Sequence, residues 1–225
     1  MALPTILQFL CITGEFVVLV QALRYRLWRA MPLFVCYLAW NLFSDVAMSP
    51  LFSWSPRLLW QLFRIDVSVD LVAQTVVLIE LAWKVLRQAF PGLARRTVAA
   101  LAGAATLLLI LIWPVTARLT DAPSPYNIAI RIPQAEHILG FVWILGLGLV
   151  SLIYSLTWKG RLLQVAAGLL GYAFSGVVVA VYRLATGIDP QGFLLQPATI
   201  LVYVGVLVYW IKSFSVQRIS ALIPA

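Results

Sequence analysis

The sequence predicts an all-α fold, a single bundle of seven transmembrane helices with the N-terminus outside and the C-terminus cytoplasmic. Three observations carry this. Of 225 residues, 63% are hydrophobic and 11% charged, with a mean hydropathy of +0.97; a soluble domain is about half apolar and about a quarter charged. Seven stretches reach the roughly 20 mostly apolar residues that a bilayer span needs. Lys and Arg favour alternate loops, as the positive-inside rule expects. No stretch is polar enough to form a separate soluble domain, so residues 1–225 read as one unit.

The spans fall at about 4–23, 31–50, 63–86, 97–116, 134–157, 162–184 and 193–214. Span one ends at Arg24, Arg26 and Arg29, and no basic residue precedes it, unlike a typical secretory signal. Span two ends in the Ser/Pro loop SPLFSWSPR, and span three in the loop with Pro91, Gly92, Arg95 and Arg96. The longest loop, TARLTDAPSPYNIAIRIP, separates spans four and five and places Pro133 at a helix entrance. Trp158–Arg161 is the turn into span six, and ATGIDPQG precedes span seven. One side of the membrane then holds Arg24, Arg26, Arg29, Lys84, Arg87, Arg95, Arg96, Lys159, Arg161, Lys212 and Arg218; the other holds Arg57, Arg64, Arg118, Arg131 and Arg183. The richer side is the cytoplasmic one, which places the chain in the inner membrane as a multi-pass protein.

Span three carries the informative chemistry. Asp66, Asp70, Glu80 and Lys84 share one face at helical spacing, with Gln74 at its edge. A charge facing lipid costs several kcal/mol, so this face turns to protein or water. At its inner end, Glu80 and Lys84 stand in the favourable order for an ion pair, with Lys84 reaching to the interface. At its outer end, Asp66 and Asp70 are spaced to share a proton, to bind a cation or ammonium ligand, or to pair with arginines. Asn41, Ser44 and Asp45 of span two lie at the same depth, as do Arg131, Glu136 and His137 at the start of span five, and Tyr182 and Arg183 at the end of span six. Asp45, Asp66, Asp70, Arg131, Glu136, His137 and Arg183 therefore form the candidate ligand-binding layer, facing outward. Glu15, mid-span, is the deepest acid and, with Glu80, an intramembrane acid candidate; its expected partner is Asn41, Tyr203 or Tyr209.

Other patterns bound the function. Cys11 and Cys36 read as small buried hydrophobes at different depths, not a disulfide. One histidine and no Cys-x-x-Cys point away from a metal site, and one histidine excludes bis-histidine haem. The sequence names no cofactor and leaves a bound pigment or lipid open. Span seven has no central lysine for a retinal Schiff base, since Lys212 is at its inner end. Ala173-Phe174-Ser175-Gly176 lacks the first glycine of a rhomboid nucleophile motif, and no phosphate loop, HExxH or nucleophile elbow is present, so no catalytic residue is assigned. Pro133-Gln134 alone does not make a Pro-Gln-loop sugar transporter. The net charge of +8 belongs to the loops, which makes nucleic acid an unsuitable partner and the bilayer the suitable one. Trp28, Trp54, Trp60, Trp113, Trp158, Tyr209 and Trp210 read as an interfacial belt. Small-residue faces (Ala167, Gly171 and Ser175; Gly168, Gly176 and Ala180; Ala99 with Gly103; Ala100 with Ala104; Gly140, Gly146 and Gly148) suit close helix contact within the chain, or a protein partner, as do the basic inner loops.

The run MPLFVCYLAWNLFSD after a basic first inner loop, and VVLIELAWKVLRQAFPGLARR at the end of span three, resemble a broad group of uncharacterised bacterial seven-helix integral membrane proteins. Spans one to three carry the likeness, which implies the topology and no activity. The expectation is a non-enzymatic membrane component, either a sensor or an accessory subunit of a complex, with an outward polar pocket. A small proton- or ion-coupled transporter is the second reading. A lipid-acting intramembrane enzyme using Asp66, Asp70 and His137 is the third.

Overall fold

A computed structural model of the chain describes residues 3–49, 54–90, 92, 96–118, 127–155, 160–186 and 195–220, with some side chains at helix ends, Arg183 among them, outside the description. These residues form eight helices and no strand: α1 (Leu3–Arg24), α2 (Leu27–Ala30), α3 (Pro32–Ala47), α4 (Pro56–Ala89), α5 (Arg96–Arg118), α6 (Asn127–Ile153), α7 (Gly160–Thr186) and α8 (Leu195–Ser220). Stretches of α1, α5, α6 and α7 are long and apolar enough to cross a membrane; the apolar parts of α3 and α8 are shorter. The outside of the bundle is apolar, with Phe43 65% and Leu152 79% exposed, the surface that lipid rather than water would solvate.

Two boundaries differ from those expected. Helix α4 begins at Pro56 instead of near residue 63, because the Ser-Pro pair of the expected loop is a helix start. The Ser55 hydroxyl accepts from the Leu58 N–H at 3.3 Å, and Pro56 occupies the first helical position, where its missing N–H costs nothing. The resulting helix has 34 residues and a length of about 51 Å. Helix α6 likewise begins at Asn127, so Pro133 lies inside a helix instead of at its entrance. Between α1 and α3 the chain turns on Arg26, which adopts left-handed backbone angles (φ 55°), and the Arg161 guanidinium donates to the Tyr25 carbonyl at 3.0 Å to hold that elbow.

The helices pack as a ring. α1 touches α3, α3 touches α4, α4 touches α6, and α7 and α8 lead back to α1. α5 lies outside, against α4 and α6 only. The core runs through the ring from Val18 and Phe34 to Val77, Leu81, Leu139, Leu169 and Trp210.

Small residues set the closest approaches inside this ring. Gly168 leaves the space that the Trp210 indole occupies, and Gly176 the space of the His137 ring; a Cβ at either would collide. Trp210 is therefore not part of an interfacial belt. It is 2% exposed, and its indole N–H donates to the Gln164 carbonyl at 3.1 Å. Cys36 also departs from expectation: it faces outward on α3, because Phe34, Val35, Tyr37 and Leu38 take the inner face, while Cys11 is buried and both thiols are free. Trp158 lies outside the described residues.

Candidate functional site

The two ends of the α4 polar face become two different sites. Toward the C-terminal end, Glu80 is 7% exposed and fully engaged. Its Oε1 lies 3.0 Å from Lys84 Nζ. Its Oε2 accepts from the backbone N–H groups of Leu33 (3.1 Å) and Phe34 (3.3 Å). These are the first-turn amides of α3, whose own N-cap, Met31, offers no side-chain acceptor. A helix start presents unpaired N–H groups and a partial positive charge, and a carboxylate satisfies both. Glu80 is thus the α3 cap, supplied from another helix. The ion pair was legible from spacing; the capping required knowing that α3 begins beside α4.

Toward the N-terminal end, five carboxyls converge inside the ring: Glu15 from α1, Asp45 from α3, Asp66 and Asp70 from α4, and Glu136 from α6. Glu15 and Asp45 are neighbours, as are Asp70 and Glu136. Two ionised carboxylates only repel, so a bond between two carboxyls requires a proton on one of them. Glu15 Oε1 accepts from the Tyr203 hydroxyl at 2.6 Å, the partner expected from α8. Asn41, with its amide nitrogen facing the acceptors, donates to Asp70 Oδ1 (3.1 Å) and to the Tyr37 carbonyl (3.2 Å). Ser44 and Trp40 flank Asp66. Glu15 and Glu136 are 1% and 3% exposed, whereas Asp45, Asp66 and Asp70 are partly exposed.

Of the expected cations, Arg131 is not in this cluster. Arg131 turns to α5: it stacks over the Trp113 ring at 4.6 Å and donates to the Trp113 carbonyl at 2.9 Å. The reason is geometric, since α6 begins beside the end of α5 and the guanidinium meets a ring face and a carbonyl before it could reach the ring interior. The side chain of Arg183 lies outside the described residues. The one salt bridge among the described residues is Glu80–Lys84. No group of three His, Cys, Asp or Glu side chains among them has the geometry of a metal site.

His137 sits at the margin. Its ring meets Tyr172 edge-on, with centroids 4.7 Å apart, and Tyr172 in turn leans on Tyr203 at 5.3 Å. Among the described residues, His137 Nδ1 has no hydrogen-bond partner, and neither do Gln74 Oε1 and Nε2, Glu15 Oε2 or Glu136 Oε1. Spacing in the sequence places Tyr172 on the small-residue face of span six and gives Tyr37 no role. Tyr37 precedes Asn41 by one turn and Asp45 by two, and Tyr172 precedes Gly176 by one turn, so the helical face was the available signal.

Below the cluster the ring is dry. Val77, Leu81 and Leu139 are fully buried and Leu78 is 1% exposed. The Trp143 indole N–H clasps the Leu78 carbonyl at 3.0 Å across this layer. The small-residue faces of α6 and α7 are largely used within the chain: Gly176 by His137, Gly168 by Trp210, and Gly140 by Gln74, whose Nε2 lies 2.7 Å from where a Cβ would sit. Ala99, Ala100, Gly103 and Ala104 of α5 face outward.

No family model matches the chain, nor does any curated protein or solved structure.

Proposed function

We propose that the chain is a non-enzymatic, seven-span inner-membrane protein, N-terminus outside, that responds to protons or small cations arriving from the outer side: a sensor, or the responsive subunit of a larger membrane complex. One observation carries this reading. The carboxyl pairs Glu15–Asp45 and Asp70–Glu136 are approached through partly exposed acids on one side and end on a dry layer on the other. A responder needs access from one side only. A carrier must also open the far side, and here that side is clasped by Trp143 on Leu78 and by Glu80 on α3.

A proton- or ion-coupled transporter is the second reading, favoured by the position of Glu15 near the middle of α1 and by two sites that can each hold a proton. Reconstitution in oriented liposomes, with the pH set separately on each side, decides between them. The expected result is a tryptophan-emission change that follows external pH alone, is lost on Asp70→Asn with Glu136→Gln, and comes without proton flux into the lumen. Sustained flux that Glu15→Gln abolishes would establish the transporter instead. An emission signal indifferent to both compartments would remove the cluster as a site.

A further inference from the structure

The acid cluster is walled by aromatic rings. Tyr37, Tyr172, Tyr203 and His137 come from α3, α7, α8 and α6, so four of the six ring helices supply one. Tyr172 links the others: its ring meets His137 on one side (4.7 Å between centroids) and Tyr203, the donor to Glu15, on the other (5.3 Å). Tyr172, Tyr203 and His137 are partly exposed, while Tyr37 is buried behind them at 3%.

No salt bridge to any of the five carboxyls occurs among the described residues. Buried anions call for a cation. Gln74 points to the same place independently. It is 1% exposed, and both its amide atoms lack partners. It stands one turn beyond Asp70 and reaches Gly140, one turn beyond Glu136, so its amide forms the floor beneath that carboxyl pair. A buried primary amide with donor and acceptor both unused is costly unless a ligand completes it.

The kind of cation follows from the lining. A divalent metal needs several oxygens converging on one point, and no such convergence is found among the described residues. Ring faces favour a weakly hydrated cation of low charge density. Separated carboxylates and an amide oxygen suit a group with several N–H donors. We propose that the cluster binds an organic ammonium, carried by an aminophospholipid headgroup or by a small free amine. Its N–H groups lie against Asp70, Glu136 and the Gln74 oxygen, and its carbon chain lies on Tyr172 and Tyr203. This rests on the reading of the cluster as a cation-responsive site and names the ligand class.

The test uses the purified full chain, with ethanolamine as the probe at constant pH and ionic strength, and sodium chloride as the control. Saturating ethanolamine is expected to raise the thermal midpoint by about 5 °C. The shift should survive Tyr172→Phe, which keeps the ring, and vanish in Tyr172→Leu and in Asp70→Asn; Asp66→Asn substitutes for the latter if it fails to fold. Nanodiscs separate the two sources. Stabilisation by phosphatidylethanolamine over phosphatidylglycerol, with no further effect of free ethanolamine, identifies the headgroup. An ethanolamine effect equal in both lipids identifies the free amine. A shift matched by sodium, or retained in Tyr172→Leu, overturns the inference. An absent amine effect with the external pH response intact overturns this inference alone, and loss of both responses overturns the proton reading with it.

Discussion

Glu80 and Asp70 are separated by ten residues of one helix, both in the interior of the bundle. Glu80 has an acceptor site for every neighbour that needs one: two first-turn amides of α3 and the Lys84 ammonium. Asp70 has the Asn41 amide and another carboxyl, Glu136, which is itself short of a donor. A buried acid that is fully donated to is a fixed strut, and removing it strands its partners. A buried acid facing another acid is held only as long as a proton or cation stays between them. The same residue class on the same helix face is thus fully donated to at one end and faces another acid at the other, and burial alone does not tell them apart.

The contrast can be broken most directly at Glu80. Glu80→Ala is expected to cost about 3 kcal/mol, since it leaves two helix-start amides and Lys84 without an acceptor. Thermal unfolding in detergent measures this, and adding Lys84→Met should recover part of the loss. A cost no larger than that of Asp70→Asn would erase the distinction. Gly176→Ala comes next, at about 2 kcal/mol, because the new methyl must displace the His137 ring. Gly103→Ala on α5, with nothing within 4 Å of the added Cβ, is the neutral control. Trp143→Phe should cost about 1 kcal/mol by leaving the Leu78 carbonyl unpaired. It should also loosen the dry layer, so that luminal pH begins to influence tryptophan emission in liposomes; emission still blind to luminal pH would show that the layer does not depend on that clasp. The smallest stability effect is expected at the responsive end. Asp70→Asn keeps a donor for Glu136 and should change stability by less than about 1 kcal/mol, while flattening its dependence on external pH. A steep pH dependence surviving in that variant would assign the response elsewhere.

The sequence made the all-helical fold legible because long apolar runs have few alternatives when water is excluded. It also made legible the polar faces of α1, α3, α4 and α6, through helical spacing alone. What it could not show were relations between helices. That Glu80 caps α3 depends on where Pro32 begins its helix relative to α4. That Arg131 leaves the acids for Trp113 depends on α5 lying outside the ring. Matching depths suggested that opposite charges would meet, yet depth says nothing of direction around the helix axis. The start of α4 was misplaced for a local reason: Ser-Pro serves both as a turn and as an N-cap with its first residue.

The ring closes between its most distant members, α1 and α8. Its polar clasp, Tyr203 on Glu15, joins residues 188 positions apart, and Leu207 seats against Gly14 beside it. During synthesis, Glu15 therefore waits for nearly the whole chain before its phenol arrives. The acid cluster is completed only when α8 arrives, and a bundle missing α8 would keep an acid at the centre of its first helix without its hydroxyl donor. Assembly order is in this way written into one hydrogen bond between the first helix and α8.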